Sequence, residues 1–170
     1  MKIFLGWSDI QSLAIAKVLK DWLPRVIQTA EIFYFVDIDK YVDPPKATAW
    51  PNALKYALEE MHFYIICLTR ENCKDPWIHF EAGALFNTEG AKEIWTFLYG
   101  LEPTEVPFPL NIFQYASAKS RADVFKMVAS MNYELGGIGQ TPLETDILHR
   151  IFLKNWPDLE NDLIGLGQLE

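Results

Sequence analysis

The sequence has few positive charges, only two cysteines and no long apolar run. Its 170 residues include 15 Lys and Arg against 23 Asp and Glu, for a formal net charge of −8. Without a dense Lys/Arg cluster, binding to a nucleic-acid backbone or to an anionic membrane surface is disfavoured. No stretch approaches the ~20 apolar residues of a membrane-spanning helix, and only a short apolar run follows Lys2, so no signal peptide is visible. We therefore expect a cytoplasmic protein with no nucleic-acid partner and no membrane association.

Several common signatures of chemistry are also missing. The three histidines are dispersed along the chain, at positions 62, 79 and 149, so we expect no metal site. Cys67 and Cys73 do not make a disulfide framework, and Cys67 lies in an apolar run that predicts a buried, reduced thiol. The Gly-Gly-Ile-Gly run at residues 136–139 does not follow a predicted strand, so it indicates a turn and not a dinucleotide fingerprint.

Short apolar runs that alternate with helical patterns make up most of the chain. Half of the residues are apolar and 14% are aromatic, enough for a packed core, so we expect one domain over residues 1–170 with its core at about 2–154. The runs at residues 3–5, 32–36, 63–68, 94–99 and 112–116 predict strands. Helices are predicted from about residue 13 to Pro24, from Trp50, from Trp77 and over 121–131, with a C-terminal helical extension over about 143–166 that is interrupted at Trp156-Pro157.

This alternation predicts a specific α/β architecture and, with it, the place of a site. We expect a flavodoxin-like three-layer sandwich with a five-stranded parallel sheet in the order 2-1-3-4-5, followed by C-terminal helices. Ligands of such sheets bind beyond the carboxyl ends of the strands, where strands 1 and 3 diverge. Three segments should meet there: residues 6–9, the long irregular loop 37–49 after strand 2, and residues 69–81.

The densest group of polar and aromatic side chains lies in the third of these segments. Trp77 and Glu81 are four residues apart, so on a helix they share one face. An aromatic plate beside a carboxylate can stack on a nucleobase or pyridine ring and engage ribose hydroxyls. A structural explanation competes: a Glu in an early helical turn complements the helix dipole, and Trp77 can be a core residue. Spacing alone favours the structural explanation.

Three stretches of the chain resemble bacterial TIR (Toll/interleukin-1 receptor) domains. Residues 77–85 (WIHFEAGAL) resemble the family's W-x-x-x-E motif and the small-residue helix that follows it. Residues 2–9 (KIFLGWSD) are similar to the first box, and residues 63–72 (FYIICLTREN) to the third strand and its exit. Residues 37–50 occupy the place of the BB loop. The first turn reads Gly-Trp-Ser in place of the usual Ser-His-Ser style, and the loop has Asp-Pro-Pro-Lys at 43–46 in place of Pro-Gly.

The resemblance implies an enzyme that breaks the nicotinamide–ribose bond of NAD, as an NAD glycohydrolase or an ADP-ribosyl cyclase. Nicotinamide in NAD is already cationic and can leave without a general acid, so one carboxylate that steadies the resulting oxocarbenium ion can suffice. Glu81 is the predicted catalytic residue. NAD is the substrate, and no cofactor is expected. The predicted substrate-binding residues are Gly6, Trp7, Ser8, Asp9, Trp50 and Trp77.

Each secondary site residue has a structural alternative at this stage. Asp9 is equally suited to capping the helix that follows, Trp50 to anchoring a loop, and Trp77 to seating its helix. The resemblance also implies head-to-tail self-association with other TIR domains, a sensor or effector protein as partner, and a role in bacterial anti-phage defence or signalling. Two other functions stay open: a non-catalytic TIR scaffold, and a nucleoside deoxyribosyltransferase-like enzyme.

Overall fold

A computed structural model describes residues 1–34, 59–86 and 93–167 of the chain. Its strands are β1 (Lys2–Gly6), β2 (Glu31–Tyr34), β3 (Phe63–Leu68), β4 (Glu93–Leu98) and β5 (Gln114–Ser117). Its α-helices are α1 (Ile10–Val26), α2 (Pro76–Phe86), α3 (Arg121–Gly137) and α4 (Thr145–Ile164). Short 3-10 turns lie at Asn72–Lys74, Pro103–Glu105 and Leu110–Ile112.

The five strands form one parallel sheet in the order β2-β1-β3-β4-β5. This order confirms the predicted flavodoxin-like α/β fold. The central strand β3 is buried along its whole length and has the bounds that its unbroken apolar run predicts. In the register, Leu5 pairs with Ile65 and Gly6 with Ile66, so the carboxyl ends of β1 and β3 lie side by side.

The sheet separates two core layers of unequal size. The larger layer contains Ile3 and Leu5 of β1 together with the buried faces of α1, α3 and α4. The smaller layer contains Phe4 of β1 and the buried face of α2. Side chains alternate between the faces of a strand, so Gly6, two residues after Phe4, belongs to the α2 side of the sheet.

Two helix predictions are wrong, both at a proline: the end of the first helix and the interruption of the last. Helix α1 does not stop at Pro24 but runs to Val26, and the Ile27 N–H donates to the Leu23 carbonyl oxygen over 2.8 Å. Helix α4 is continuous through Pro157, where an interruption was predicted. Buried apolar side chains flank each proline, and their packing offsets the lost backbone hydrogen bond: Leu23, Val26, Trp156 and Leu159.

Other predicted boundaries moved by smaller amounts. Strand β5 begins two residues later than its apolar run suggests. Helix α3 continues to Gly137, so the turn predicted at residues 136–139 begins only after that residue. This turn includes Gly139, which has a φ of 76°. The predicted helix at Trp50 and the loop 37–49 lie outside the described residues. None of the helices in the described parts of the chain is long and apolar enough to cross a membrane.

Candidate active site

Helix α2 begins beside the carboxyl end of β3, and local sequence fixes where it begins. The Trp77 backbone N–H donates to the Asp75 carboxylate over 2.9 Å, so Asp75 satisfies one of the free amides of the first turn. Pro76 is the first helical residue, a position where its missing N–H costs nothing. The start of α2 thereby sets which helical face holds Trp77 and Glu81.

Trp77 and Glu81 are in direct contact. The Trp77 indole N–H donates to Glu81 Oε1 over 2.7 Å, a short hydrogen bond between side chains one turn apart. The Trp77 ring also packs against Phe80, with ring centroids 5.5 Å apart. The shared face predicted from the four-residue spacing is therefore present, and the indole holds one carboxylate oxygen in place.

The second oxygen of the Glu81 carboxyl has no partner. Glu81 is only 1% exposed, and its buried Oε2 makes no hydrogen bond in the described part of the structure. None of the ion pairs found among the described residues includes it. A Glu that served only the helix dipole would point to water, so the burial argues against the simpler structural explanation.

Burial also changes the acidity of this group. Desolvation raises the pKa of Glu81 from its ordinary value of 4.5 to about 8. The hydrogen bond from Trp77 acts in the opposite direction and lowers this pKa, whereas the charge of Asp75 raises it further. A carboxyl with such a pKa changes its charge within the physiological range. Strongly perturbed groups of this kind are concentrated at functional sites.

Gly6 lies close to the unpaired oxygen of Glu81. A Cβ built on Gly6 would lie 2.8 Å from Glu81 Oε2. The carboxyl of Glu81 therefore rests on the last residue of β1, at the edge of the sheet where strand order predicts a ligand. Gly6, Trp77 and Glu81 are the predicted site residues that the structure brings together.

Asp9 lies at the start of α1 and caps it. Its Oδ1 accepts the Ser12 backbone N–H over 2.6 Å, while Ser12 Oγ accepts the Asp9 N–H over 3.0 Å, which makes a capping box. Asp9 Oδ2 accepts a long hydrogen bond, 3.5 Å, from the hydroxyl of Thr69, which directly follows β3. The cap is thus present, and the substrate-binding role of Asp9 stays a prediction.

Trp7 and Ser8 lie between β1 and α1. No hydrogen bond found among the described residues joins either of them to Glu81. Trp7 packs against the larger core layer, on the other side of the sheet from α2. Its indole Nε1 and the Ser8 hydroxyl are buried without hydrogen-bond partners in the described structure. Their role in binding substrate stays a prediction, and Trp50 lies outside the described residues.

Asn72 is a structural residue of the site that residue-type reasoning did not single out. Its side chain accepts the Thr69 N–H over 2.8 Å and donates to the Cys67 carbonyl over 3.0 Å, so it fixes the turn after β3. An Asn shortly after the end of a predicted strand is the sequence feature that could have predicted this turn.

Cys67 is fully buried. Burial, and to a smaller extent the nearby charge of Glu81, raises the pKa of its thiol.

The described residues contain no group of three His, Cys, Asp or Glu side chains that could hold a metal ion.

No protein-family model matches the chain, and no curated protein matches it. A buried carboxyl with one oxygen held by an indole and the other unpaired is suited to stabilising a positive charge placed beside it.

Proposed function

We propose that this chain is a TIR-type enzyme that cleaves NAD, with Glu81 as the catalytic residue. The observation that carries the proposal is the buried, unpaired Oε2 of Glu81 at the carboxyl ends of β1 and β3. Leaving a carboxyl oxygen buried and unsatisfied is costly. A cation formed beside it would remove that cost, so the site favours a transition state that gains positive charge on the reacting sugar.

The reaction fits a single carboxylate. The bond between the ribose anomeric carbon and the nicotinamide nitrogen breaks, and its electron pair neutralises the pyridinium. The ribose becomes an oxocarbenium ion, which Glu81 stabilises as a carboxylate, since the positive charge of the bound nicotinamide lowers the pKa of this carboxyl and favours its ionised form. Attack by water, with loss of a proton, gives ADP-ribose. Attack by a nucleophile of the ADP-ribose itself, also with loss of a proton, gives a cyclic product.

Substrate access requires a change from the arrangement described. Glu81 is 1% exposed, so its carboxyl must be uncovered before it can touch a ribose. We propose that contact with another copy of the chain uncovers it and that the Trp77 ring, partly exposed and already bonded to Glu81, then contacts the bound NAD. The other proposed binding residues are Gly6, Trp7, Ser8, Asp9 and Trp50.

The biological setting is proposed from the resemblance of residues 2–9, 63–72 and 77–85 to bacterial TIR domains. A cytoplasmic enzyme of this type would act in anti-phage defence or signalling, either by depleting NAD or by producing a signalling nucleotide. Its partners would be further copies of the domain in head-to-tail contact and a sensor or effector protein. These contacts would determine when the buried carboxyl is uncovered.

The direct test is Glu81→Gln, which keeps the shape of the side chain but cannot ionise. We expect nicotinamide release from NAD to fall by about 10²–10⁴-fold, because one charged group that stabilises a transition state contributes on that order. The measurement is chromatography of nicotinamide, ADP-ribose and any cyclic product after incubation at high protein concentration. The matched control is Glu160→Gln on the exposed face of α4, for which we expect wild-type turnover.

Each alternative function predicts a different outcome of the same experiment. A folded Glu81→Gln variant that releases nicotinamide at the wild-type rate would refute the assignment of Glu81. No NAD cleavage at any protein concentration, together with self-association, would indicate a TIR scaffold. Base exchange on a deoxynucleoside without attack on NAD would indicate a deoxyribosyltransferase-like enzyme.

A further inference from the structure

Gly6 does not need to be glycine for the sake of its backbone. Among the described residues the glycines with positive φ are Gly100, Gly139 and Gly167, and Gly6 is not one of them. It is the last residue of β1 and pairs with Ile66 in the parallel ladder. A glycine weakens a strand, since it brings no side chain to pack and loses more conformational entropy on folding. Another constraint must therefore account for it.

The space above Gly6 supplies that constraint. A Cβ on this residue would lie 2.8 Å from Glu81 Oε2, whereas its next neighbours, Cα and Cγ1 of Ile66, would be at an ordinary 3.8 Å. The carboxyl of Glu81 is thus the group that a side chain at position 6 would displace. It has little freedom to move, because Oε1 is bonded to Trp77 over 2.7 Å and the residue is 1% exposed.

We propose that Gly6 is a positioning residue for Glu81: its lack of a side chain makes the space in which the carboxyl lies, and so keeps Oε1 on the Trp77 indole and Oε2 at the carboxyl end of β1. This positioning role concerns the geometry of the Glu81 carboxyl. Its effect on catalysis rests on the proposed NAD cleavage, so the geometric effect and the catalytic effect of Gly6 are tested separately.

The geometric part is tested without any enzyme assay, through the indole N–H resonance of Trp77. In a ¹⁵N–¹H spectrum, assigned with Trp77→Phe, we expect Gly6→Ala to move this resonance upfield as the bond to Glu81 lengthens. The control is Gly83→Ala in α2, two residues from Glu81, where a new Cβ meets no atom within 4 Å. An unmoved resonance in a folded Gly6→Ala protein would overturn the proposal.

A double-mutant cycle then isolates the contact between positions 6 and 81. We expect Gly6→Ala to lower the midpoint of urea unfolding in the wild-type background and to leave it nearly unchanged in Glu81→Ala, where the conflicting oxygen is absent. Because the double variant is expected to fold well, the cycle remains informative even if Gly6→Ala alone does not fold. Equal midpoint losses in both backgrounds would refute the positioning role.

The catalytic part uses rescue by a shorter carboxylate. We expect Gly6→Ala to reduce kcat for nicotinamide release on the order of 10²-fold, since a misplacement of about 1 Å can cost that much. Glu81→Asp withdraws the carboxyl by one methylene, so Gly6→Ala should cost much less in that background. Equal kcat losses on adding Gly6→Ala to the wild type and to the Glu81→Asp variant would overturn the catalytic part.

Failure of the positioning role and failure of the proposed function give different results. If wild type releases no nicotinamide while the Trp77 resonance and the double-mutant cycle behave as expected, the proposed function fails and the positioning of Glu81 by Gly6 stands. If nicotinamide release depends on Glu81 but the resonance does not respond to Gly6→Ala, the proposed function stands and the positioning role fails.

Discussion

At position 81 a carboxyl group is buried with one oxygen unpaired, and this arrangement weighs against stability. A Gln or an apolar side chain of similar size would avoid burying an ionisable group. Proteins retain such arrangements where function uses them, and the cost is offset by the rest of the fold. Among the described residues, the side-chain hydrogen bond that Glu81 accepts comes from the Trp77 indole and binds the other oxygen.

The raised pKa of Glu81 makes protein stability depend on pH with a defined sign. The group has an ordinary value of 4.5 when unfolded and about 8 when folded, so the unfolded state loses its proton first. Its favourable contribution is complete below about pH 4.5 and is lost as pH rises through about 8. We expect unfolding free energy to fall by on the order of 3–5 kcal/mol between pH 5 and pH 9 from this group.

The matched variant for this effect is Glu81→Gln, which removes the titrating group and little else. Urea unfolding of both proteins at pH 5, 7 and 9 should show equal stability at pH 5 and a more stable variant at pH 9. The difference between the two curves removes the contributions of all other titrating groups. Parallel curves for wild type and variant would show that Glu81 titrates in the folded protein as it does in water.

Sequence predicted part of this site and missed part of it, for physical reasons. The four-residue spacing of Trp77 and Glu81 was sufficient to predict that they share a helical face, because helix geometry is local. The unpaired Oε2 and its contact with Gly6 were not predictable in this way. They depend on how close α2 lies to β1, and that distance is set by packing between segments about 75 residues apart in sequence.

At the scale of elements, the start of α1 separates a structural role from a binding role for Asp9. Asp9→Ala removes the acceptor of the Ser12 N–H, and we expect it to lower the free energy of unfolding by about 1 kcal/mol. Asp9→Asn keeps an acceptor oxygen, so it should remain within a few tenths of a kcal/mol of wild type. Chemical unfolding of the three proteins at neutral pH is the measurement.

Equal losses for Asp9→Ala and Asp9→Asn would contradict the cap as the main role of this side chain. KM for NAD, measured on the same variants, addresses the predicted binding role. A rise in KM for Asp9→Asn at unchanged stability would indicate that the substrate contacts Oδ2, the oxygen with the 3.5 Å contact to Thr69.

Helices and strands differ in how well their bounds follow from sequence. Strand β3 was predicted to the residue, since both its faces are buried and its apolar run therefore stops where the strand stops. The two prolines misled the prediction of α1 and α4. A proline removes one backbone hydrogen bond, and the packing of Val26 in α1 and of Leu159 in α4 keeps the helix intact beyond it. That packing is a tertiary effect that a local rule does not contain.

At the scale of the whole molecule, the net charge of −8 bears on the proposed assembly of copies. Like-charged copies repel one another, and the range of the repulsion falls from about 30 Å at 0.01 M salt to about 8 Å at 0.15 M. Head-to-tail contacts need not close and can grow into filaments. If contact between copies uncovers Glu81, turnover per molecule must depend on how often copies meet.

We therefore expect kcat per molecule to rise with protein concentration, and at a fixed concentration to be higher in about 0.15 M salt than in about 0.01 M. The assay is nicotinamide release at saturating NAD, so that attraction or repulsion of the substrate does not contribute. Sedimentation under the same conditions shows whether assembly accompanies activity. If kcat stays constant over a roughly hundredfold range of protein concentration, a single copy uncovers its own Glu81 carboxyl without contact from another copy. The negative charge of the surface would then serve to keep copies apart.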